Sequence, residues 1–375
     1  MSICLIEFSA NNHYSQIQSW IDLNQYNKVK TYIFTNKKIY KFLRGNENCI
    51  FFFSEDSHNL LSFTFKAAFT VYKNKVQTIN ILSIQSIINF LLFIPLLFVS
   101  ENRLYISIHD CGKWFNPHFI GNNYFKFILE YVFINIYKYF STGYFTNSQV
   151  LKEYLVNTIK INKPVYVLPF ALYNNKINQP VTPSRESLTI TVPGALDPNR
   201  RLYSNILKLA EKIKSINIIL LGQKINTNEK SLSIYNKACD LPNVKTFENF
   251  IEENEFDEFL GQTDLLFNDI VPIYSGDGYI EKYGQTKDSG VTYLMIRKAL
   301  PGIINSEYNH DIILKNSTLY FENYNHLEQL IQNLIKHPQL IEDLKINAYH
   351  NSLSFTPSSV TASYLKNFYS NITKT

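Results

Sequence analysis

Short apolar runs of strand length alternate with segments of helical period along nearly the whole chain, and this alternation restricts the fold more than any single motif does. In the first half the runs fall at 3–8, 29–34, 49–53, 78–82, 104–108, 143–146 and 165–168. Helix-like segments separate them at 14–23, 58–72, 84–99, 122–139 and 149–158. Strands apolar on both faces and joined by helices form parallel sheets, because a crossover is needed to bring the chain back in the same direction. A polar stretch at 174–187, with two prolines and no apolar period, then reads as an interdomain linker. The pattern restarts with strands at 188–192, 216–221, 244–246, 264–267, 302–304 and 318–321, and with helices at 202–214, 230–238, 254–261, 291–300, 326–336 and 338–349. The expected fold is α/β: two doubly wound, Rossmann-like domains, 1–171 and 185–358, facing one another across a cleft. Ligands of such sheets collect at the carboxyl ends of the strands. An amphipathic segment follows Pro357. With two domains already complete, this tail (359–375) is expected to cross back onto the N-terminal one.

The 375 residues are 45% hydrophobic with only 12 Gly and 13 Pro, which excludes a low-complexity or disordered chain. The most apolar run, IQSIINFLLFIPLLFV at 84–99, is short for a bilayer and is interrupted by Pro95. It is expected to be a buried helix, with a shallow membrane dip as the alternative. Cys4, Cys49, Cys111 and Cys239 are scattered without zinc-ligand spacing and read as reduced thiols. The opening residues show no basic segment ahead of an apolar one and read as a first strand, so a cytoplasmic protein is expected. Net charge is +5, unevenly placed: residues 1–170 hold 16 Lys and Arg against 9 Asp and Glu. A basic N-terminal half suits an anionic partner, such as a phosphate-bearing acceptor or peripheral contact with a membrane; a lysine-rich solvated surface is the other reading.

Three loops at strand ends carry candidate chemistry. ISIHDCGKWFNP delivers His109 and Asp110 from a buried strand into a loop with Lys113 and Trp114; a His-Asp pair there can orient a hydroxyl or accept its proton. TVPGALDPNRRLY ends a strand at Gly194 and is expected to open a helix with Arg200 and Arg201, which suit a diphosphate. The stretch 264–304 reads as strand, glycine loop, helix N-terminus and strand. In it Lys287 can neutralise a leaving phosphate, Ser289 can cap the helix, and Gly290 lets backbone approach the ligand.

With these features the chain resembles the GT-B glycosyltransferases, and within them the bacterial family 4 group, over nearly its whole length. VYVLPFALY resembles the strand before the interdomain hinge, and FTNSQVLKEYL an N-domain strand and helix. TVPGALDPNRR resembles the family's glycine loop, with Arg200 where that group carries a phosphate-binding lysine. INIILLGQ, with Gly222 near its end, resembles the next strand. IHD resembles the loop that offers a histidine, here His109, to the transferred sugar, and His13 lies in the first loop, near acceptor and donor. Glu281 matches the first glutamate of the family's E-x(7)-E signature. Ser289, or Leu294 in an alignment anchored on Pro301, stands where the second should be, and Ala195 replaces an arginine.

The resemblance implies sugar transfer from a nucleotide-sugar donor to a glycan or lipid-linked acceptor in bacterial surface polysaccharide synthesis, retaining and without metal or other cofactor. In that reading His109 contacts the donor sugar, Asp110 handles the acceptor proton and Glu281 binds sugar hydroxyls or supports the sugar's positive character. Gly194, Arg200, Arg201, Gly222, Lys287, Ser289 and Gly290 hold the donor; His13, Lys113 and Trp114 face the acceptor. No Asp-x-Asp metal motif occurs, and no nucleic-acid partner is expected. Two other readings stay open: a sugar-nucleotide epimerase of the same fold, which needs a denser set of carboxylates, and a non-catalytic partner of a transferase.

Overall fold

A computed structural model of the chain describes residues 1–7, 13–54, 60–99, 103–174, 187–275 and 278–373. Two wholly parallel sheets are present. The first takes β1 (Ser2–Glu7), β2 (Lys30–Asn36), β3 (Cys49–Ser54), β4 (Thr78–Ile81), β5 (Leu104–Ile108), β6 (Gly143–Thr146) and β7 (Val165–Val167), in the order β3-β2-β1-β4-β5-β6-β7. The second takes β8 (Leu188–Pro193), β9 (Ile216–Gln223), β10 (Val244–Phe247), β11 (Leu265–Asn268), β14 (Gly302–Asn305) and β15 (Thr318–Phe321), in the order β10-β9-β8-β11-β14-β15. A short antiparallel pair, β12 (Ile273–Tyr274) and β13 (Glu281–Lys282), stands apart. In each sheet the strand order reverses beside the first strand, β1/β4 and β8/β11, and such switch points open a crevice at the carboxyl ends.

The central strands are apolar on both faces because helices cover both. One apolar cluster joins Trp20 and Leu5 of the first half to Leu266, Met295 and Phe355 of the second, while two further clusters fill the outer faces. The C-terminal tail crosses back as expected. Phe368 is fully buried with its ring 5.8 Å from Trp20 and 5.0 Å from Phe145. The Tyr369 hydroxyl donates to Asn24 Oδ1 at 2.9 Å.

Four expectations need correction. The 84–99 run is not one buried helix. It breaks into Ile87–Leu92 and Ile94–Leu97, with Pro95 in the first turn of the second, and it leaves Ile88, Leu91 and Phe98 exposed. The loop after β5 contains a short helix, Cys111–Phe115. Arg200 and Arg201 do not open a helix, since they lie in a turn ahead of Ser204–Lys212. The 149–158 segment ends in a π-helical turn, Tyr154–Thr158. Residues 175–186, including most of the expected linker and the start of the second domain at 185, lie outside the described residues, as do Phe8 and His58 at the ends of expected elements.

Candidate active site

A cleft of about 990 Å³ lies between the two sheets. His13, His109, Asp110, Lys113 and Trp114 line it from the first half; Arg200, Arg201, Lys287, Ser289 and Gly290 line it from the second. Gly194, Gly222 and Glu281 do not.

The N-terminal wall is built from strand ends. Glu7 closes β1 as a buried carboxylate: Oε2 is 3.0 Å from His13 Nδ1, and Oε1 accepts from Ser83 Oγ at 2.9 Å. The His13 and His109 rings stand 4.9 Å apart. His109 Nδ1 lies 2.7 Å from Asn147 Nδ2, and Nε2 lies 2.7 Å from the Leu82 carbonyl oxygen. An amide donor on one side and a carbonyl acceptor on the other assign the proton to Nε2 of a neutral ring. Burial, assisted by His13, lowers its pKa to about 4. His109 is thus a fixed, uncharged ring whose two nitrogens are both engaged.

The opposite wall is cationic. Gly194 at the end of β8 has φ +95, a conformation that favours glycine, and a Cβ there would stand 3.1 Å from the Arg201 guanidinium. A Cβ on Gly222 would come within 2.2 Å of the Gly194 carbonyl oxygen. Both glycines therefore let the ends of β8 and β9 close together and seat Arg201, and neither faces the cleft. Arg201 Nη1 donates to the Ala195 carbonyl at 3.4 Å, while its Nε is buried without a partner among the described residues. Arg200 lies 3.5 Å from Asp197 Oδ2 and 5.2 Å above the Tyr274 ring. Ser289 caps the helix Gly290–Lys298, accepting from the Val291 N–H at 3.4 Å. Beyond its chain neighbours and its own helix backbone, no atom of the described residues lies within 4 Å of where a Gly290 Cβ would be, so that helix end faces open space. Of the two candidates for the missing glutamate, Ser289 lines the cleft and Leu294 packs on the core.

Ion pairs and hydrogen bonds join the walls. Lys287 pairs with Asp110, its partner across the seam. Burial works against both charges, but each outweighs it for the other: Asp110 is held below the usual carboxylate range and Lys287 above the usual lysine value. Asp110 is consequently engaged, which corrects its expected role with the acceptor proton. Glu281 is also corrected. Its Oε2 and Oε1 accept from the backbone N–H groups of Gly112 and Lys113 at 3.0 and 2.7 Å, away from the cleft. Burial, then the Asp110 charge, raises Glu281 to about 7. Lys113 commits its ammonium to the Gln85 carbonyl at 3.2 Å and to Glu130 at 3.6 Å, and Trp114 is buried with its ring 5.9 Å from Phe90. Both belong more to the cleft floor than to an acceptor surface.

Several cleft residues escaped the sequence reading. Asp288 accepts from Ser148 Oγ at 3.1 Å and from the Tyr293 hydroxyl at 3.0 Å; burial raises it to about 6. Phe170 stacks on Tyr293 with ring centroids 5.0 Å apart, bridging the halves beside His13. Glu7, Ser83 and Asn147 each stand at or just beyond a strand end, the same signal that marked His109. Among the described residues no three His, Cys, Asp or Glu gather closely enough to hold a metal ion.

No family model matches the sequence, and no curated protein is similar to it. Solved structures are alike in fold. A glycosyltransferase from Rickettsia africae ESF-5 superposes with a TM-score of 0.64 at 11% identity, over 100% of this chain and 98% of that one. Sucrose-phosphate synthase from Thermosynechococcus elongatus gives 0.65 at 12%, over 100% and 99%. The UDP-GlcNAc 2-epimerase from Neisseria meningitidis bound to UDP-GlcNAc gives 0.52 at 10%, over 92% and 94%. These likenesses, with the two parallel sheets and the returning tail, establish the GT-B fold.

Proposed function

We propose that the chain is a glycosyltransferase that moves a sugar from a nucleoside-diphosphate sugar to a glycan or lipid-linked acceptor, across the cleft between its two halves. The observation that carries this reading is the convergence of Arg200, Arg201, Lys287 and the N-terminus of the Gly290–Lys298 helix on one open space. Charge develops on the diphosphate as the sugar's anomeric C–O bond breaks, and fixed cations and a helix dipole favour that charge. The unpartnered Arg201 Nε is a buried donor that an anionic oxygen would satisfy. Arg201, with no carboxylate partner among the described residues, and the helix end can take the diphosphate charge directly, while Arg200 and Lys287, paired with Asp197 and Asp110, would exchange those carboxylates for it; this supports transfer without metal.

On the acceptor side His13 is the group suited to take a proton. Glu7 holds it by Nδ1, and its other nitrogen has no hydrogen-bond partner among the described residues. His109 sets a rigid neutral ring against the transferred sugar. The motif likeness to the family 4 group supports retention of configuration and a role in surface polysaccharide synthesis. The basic first half supports contact with an anionic membrane carrying a lipid-linked acceptor. An epimerase is disfavoured because the carboxylates at the cleft are engaged: Asp110 by Lys287, Asp288 by Ser148 and Tyr293, and Glu130 by Tyr279.

The test takes purified protein in EDTA, first against a panel of nucleoside diphosphates by thermal shift, then against the matching nucleotide sugars for release of diphosphate. One diphosphate should raise Tm, and its sugar should turn over. Arg200→Ala and Arg201→Ala should each lower kcat by about tenfold or more. Turnover restored only by a divalent ion would overturn metal independence. Stabilisation by none of the diphosphates would leave the non-catalytic partner as the surviving account.

A further inference from the structure

Three helical segments cover the outer face of the first sheet: Leu60–Lys73, Ile87–Leu92 with its continuation Ile94–Leu97, and Tyr124–Phe140. They pack side by side and bury Phe63, Val71, Phe90, Phe93, Ile134 and Tyr137 beneath them. What they turn outward is equally apolar. Leu61, Phe65, Phe69 and Tyr72 are exposed and recur at helical spacing, forming one line along the first helix. Ile88, Leu91 and Phe98 stand out from the second. Tyr124, Phe125, Ile128, Val132, Ile136 and Tyr139 share the outward half of the third. Exposure reaches 73% at Tyr72, 72% at Phe125, 76% at Phe98 and 80% at Tyr139, so the fold itself uses little of these side chains. A continuous apolar face on this scale marks an interaction surface.

Charge selects the partner. Lys66 and Lys73 are exposed on the first helix and exposed Lys75 follows it; Lys126 of the third helix is exposed too, but its ammonium lies 4.0 Å from Glu130. The one acidic residue of the three segments, Glu130, is buried, accepts from the Tyr279 hydroxyl at 2.5 Å and lies 3.6 Å from Lys113. Among the described residues the face therefore presents hydrocarbon, aromatic rings and ammonium groups with no exposed carboxylate. A second copy of the chain meeting it about a twofold axis would set lysines against lysines.

We propose that this face docks on an anionic phospholipid bilayer, its Phe, Tyr, Ile and Leu side chains entering the interfacial layer and its lysines reaching the headgroups. The contact lies on the membrane and does not cross it: among the described residues no helix is long and apolar enough to span one. Lys126 and Glu130 of the third helix also line the cleft, so docking sets the cleft beside the lipid surface. Delivery of a lipid-linked acceptor rests on the transfer reading; the docking rests on the surface alone.

Flotation of the purified full chain with vesicles tests it, with no sugar donor present. Phosphatidylcholine vesicles containing phosphatidylglycerol should carry the protein upward, and pure phosphatidylcholine should carry at least about tenfold less. The variant Phe69→Ser/Phe125→Ser/Tyr139→Ser should lose about tenfold or more of the binding while its thermal unfolding stays unchanged. Lys66→Glu/Lys73→Glu should weaken binding to the anionic vesicles by about fivefold per lysine and leave any weak binding to neutral ones. Equal binding of wild type and the triple variant, or no binding to either vesicle, overturns the proposal. So does a stable wild-type dimer in light scattering that the triple variant abolishes. None of these results bears on nucleotide-sugar turnover, so transfer and docking stand or fall separately.

Discussion

Glu281 is 3% exposed, and its two oxygens receive the N–H groups that start the Cys111–Phe115 helix. Its folded-state pKa of about 7 lies above the 4.5 of an ordinary glutamate. Between those values the folded chain holds a proton that the unfolded chain has released. Stability from this group is therefore fully present below about pH 4.5 and declines as pH rises toward 7, by about 3 kcal/mol. Asp288, raised to about 6, acts in the same direction, whereas Asp110, held low by Lys287, contributes stability that is lost only in acid. Urea midpoints of the wild type should fall across that window, and those of Glu281→Gln should fall more gently, the remainder belonging to the other carboxylates that burial raises, Asp288, Asp269 and Asp311. Equal slopes would mean that Glu281 ionises freely in the folded protein. The residue's type and place in a glycine-rich loop were legible in the sequence. Its partners were not: Glu281 and Gly112 are 169 positions apart, and backbone N–H groups leave no trace in side-chain identity.

Elements were legible where their signal was long. The strands emerge because six or so apolar residues in a row, bounded by polar ones, have no other stable place than a covered sheet. The Cys111–Phe115 helix is too short to show a period, and the Asp-Pro-Asn turn is legible in the sequence, but not that it runs on through Arg200 and delays the helix to Ser204. Gly222 and Gly194 show what sequence position alone conceals. They occur where a phosphate loop would be expected, yet their contacts are with each other. Gly222→Ala would drive a Cβ to 2.2 Å from the Gly194 carbonyl oxygen, atoms that cannot yield without parting β8 from β9. The expected loss is about 1–3 kcal/mol. A chemical-denaturation curve and a Kd for the stabilising nucleoside diphosphate together check it, since the same shift displaces Arg201. Unchanged stability would mean that the two strand ends relax without cost.

At the scale of the whole molecule, counting complete α/β units was enough to foresee two sheets and a tail with nowhere to go except back. The seam itself was not foreseeable. Asp110 with Lys287 and Ser148 with Asp288 lie 177 and 140 positions apart, and each member has an ordinary local explanation as a cap or a surface charge. The returning tail offers a test of how far the molecule acts as one cooperative body. Phe368 comes from the far end of the chain, yet its ring meets Trp20, Tyr105, Phe145 and Tyr166 beneath the first sheet. Both tryptophans, Trp20 and Trp114, belong to that first half, so fluorescence excited selectively at tryptophan reports its unfolding and not that of the second half. Phe368→Ala removes a fully buried ring and should cost about 3–5 kcal/mol, whereas Phe368→Leu, nearer in volume, should cost about 1.5 kcal/mol or less. If the tail is a working part of the first core, the alanine variant shifts the tryptophan transition to lower urea by that amount. If the tail only lies on the surface of a domain already complete, the tryptophan midpoint stays where it was, and the first half is stable without it.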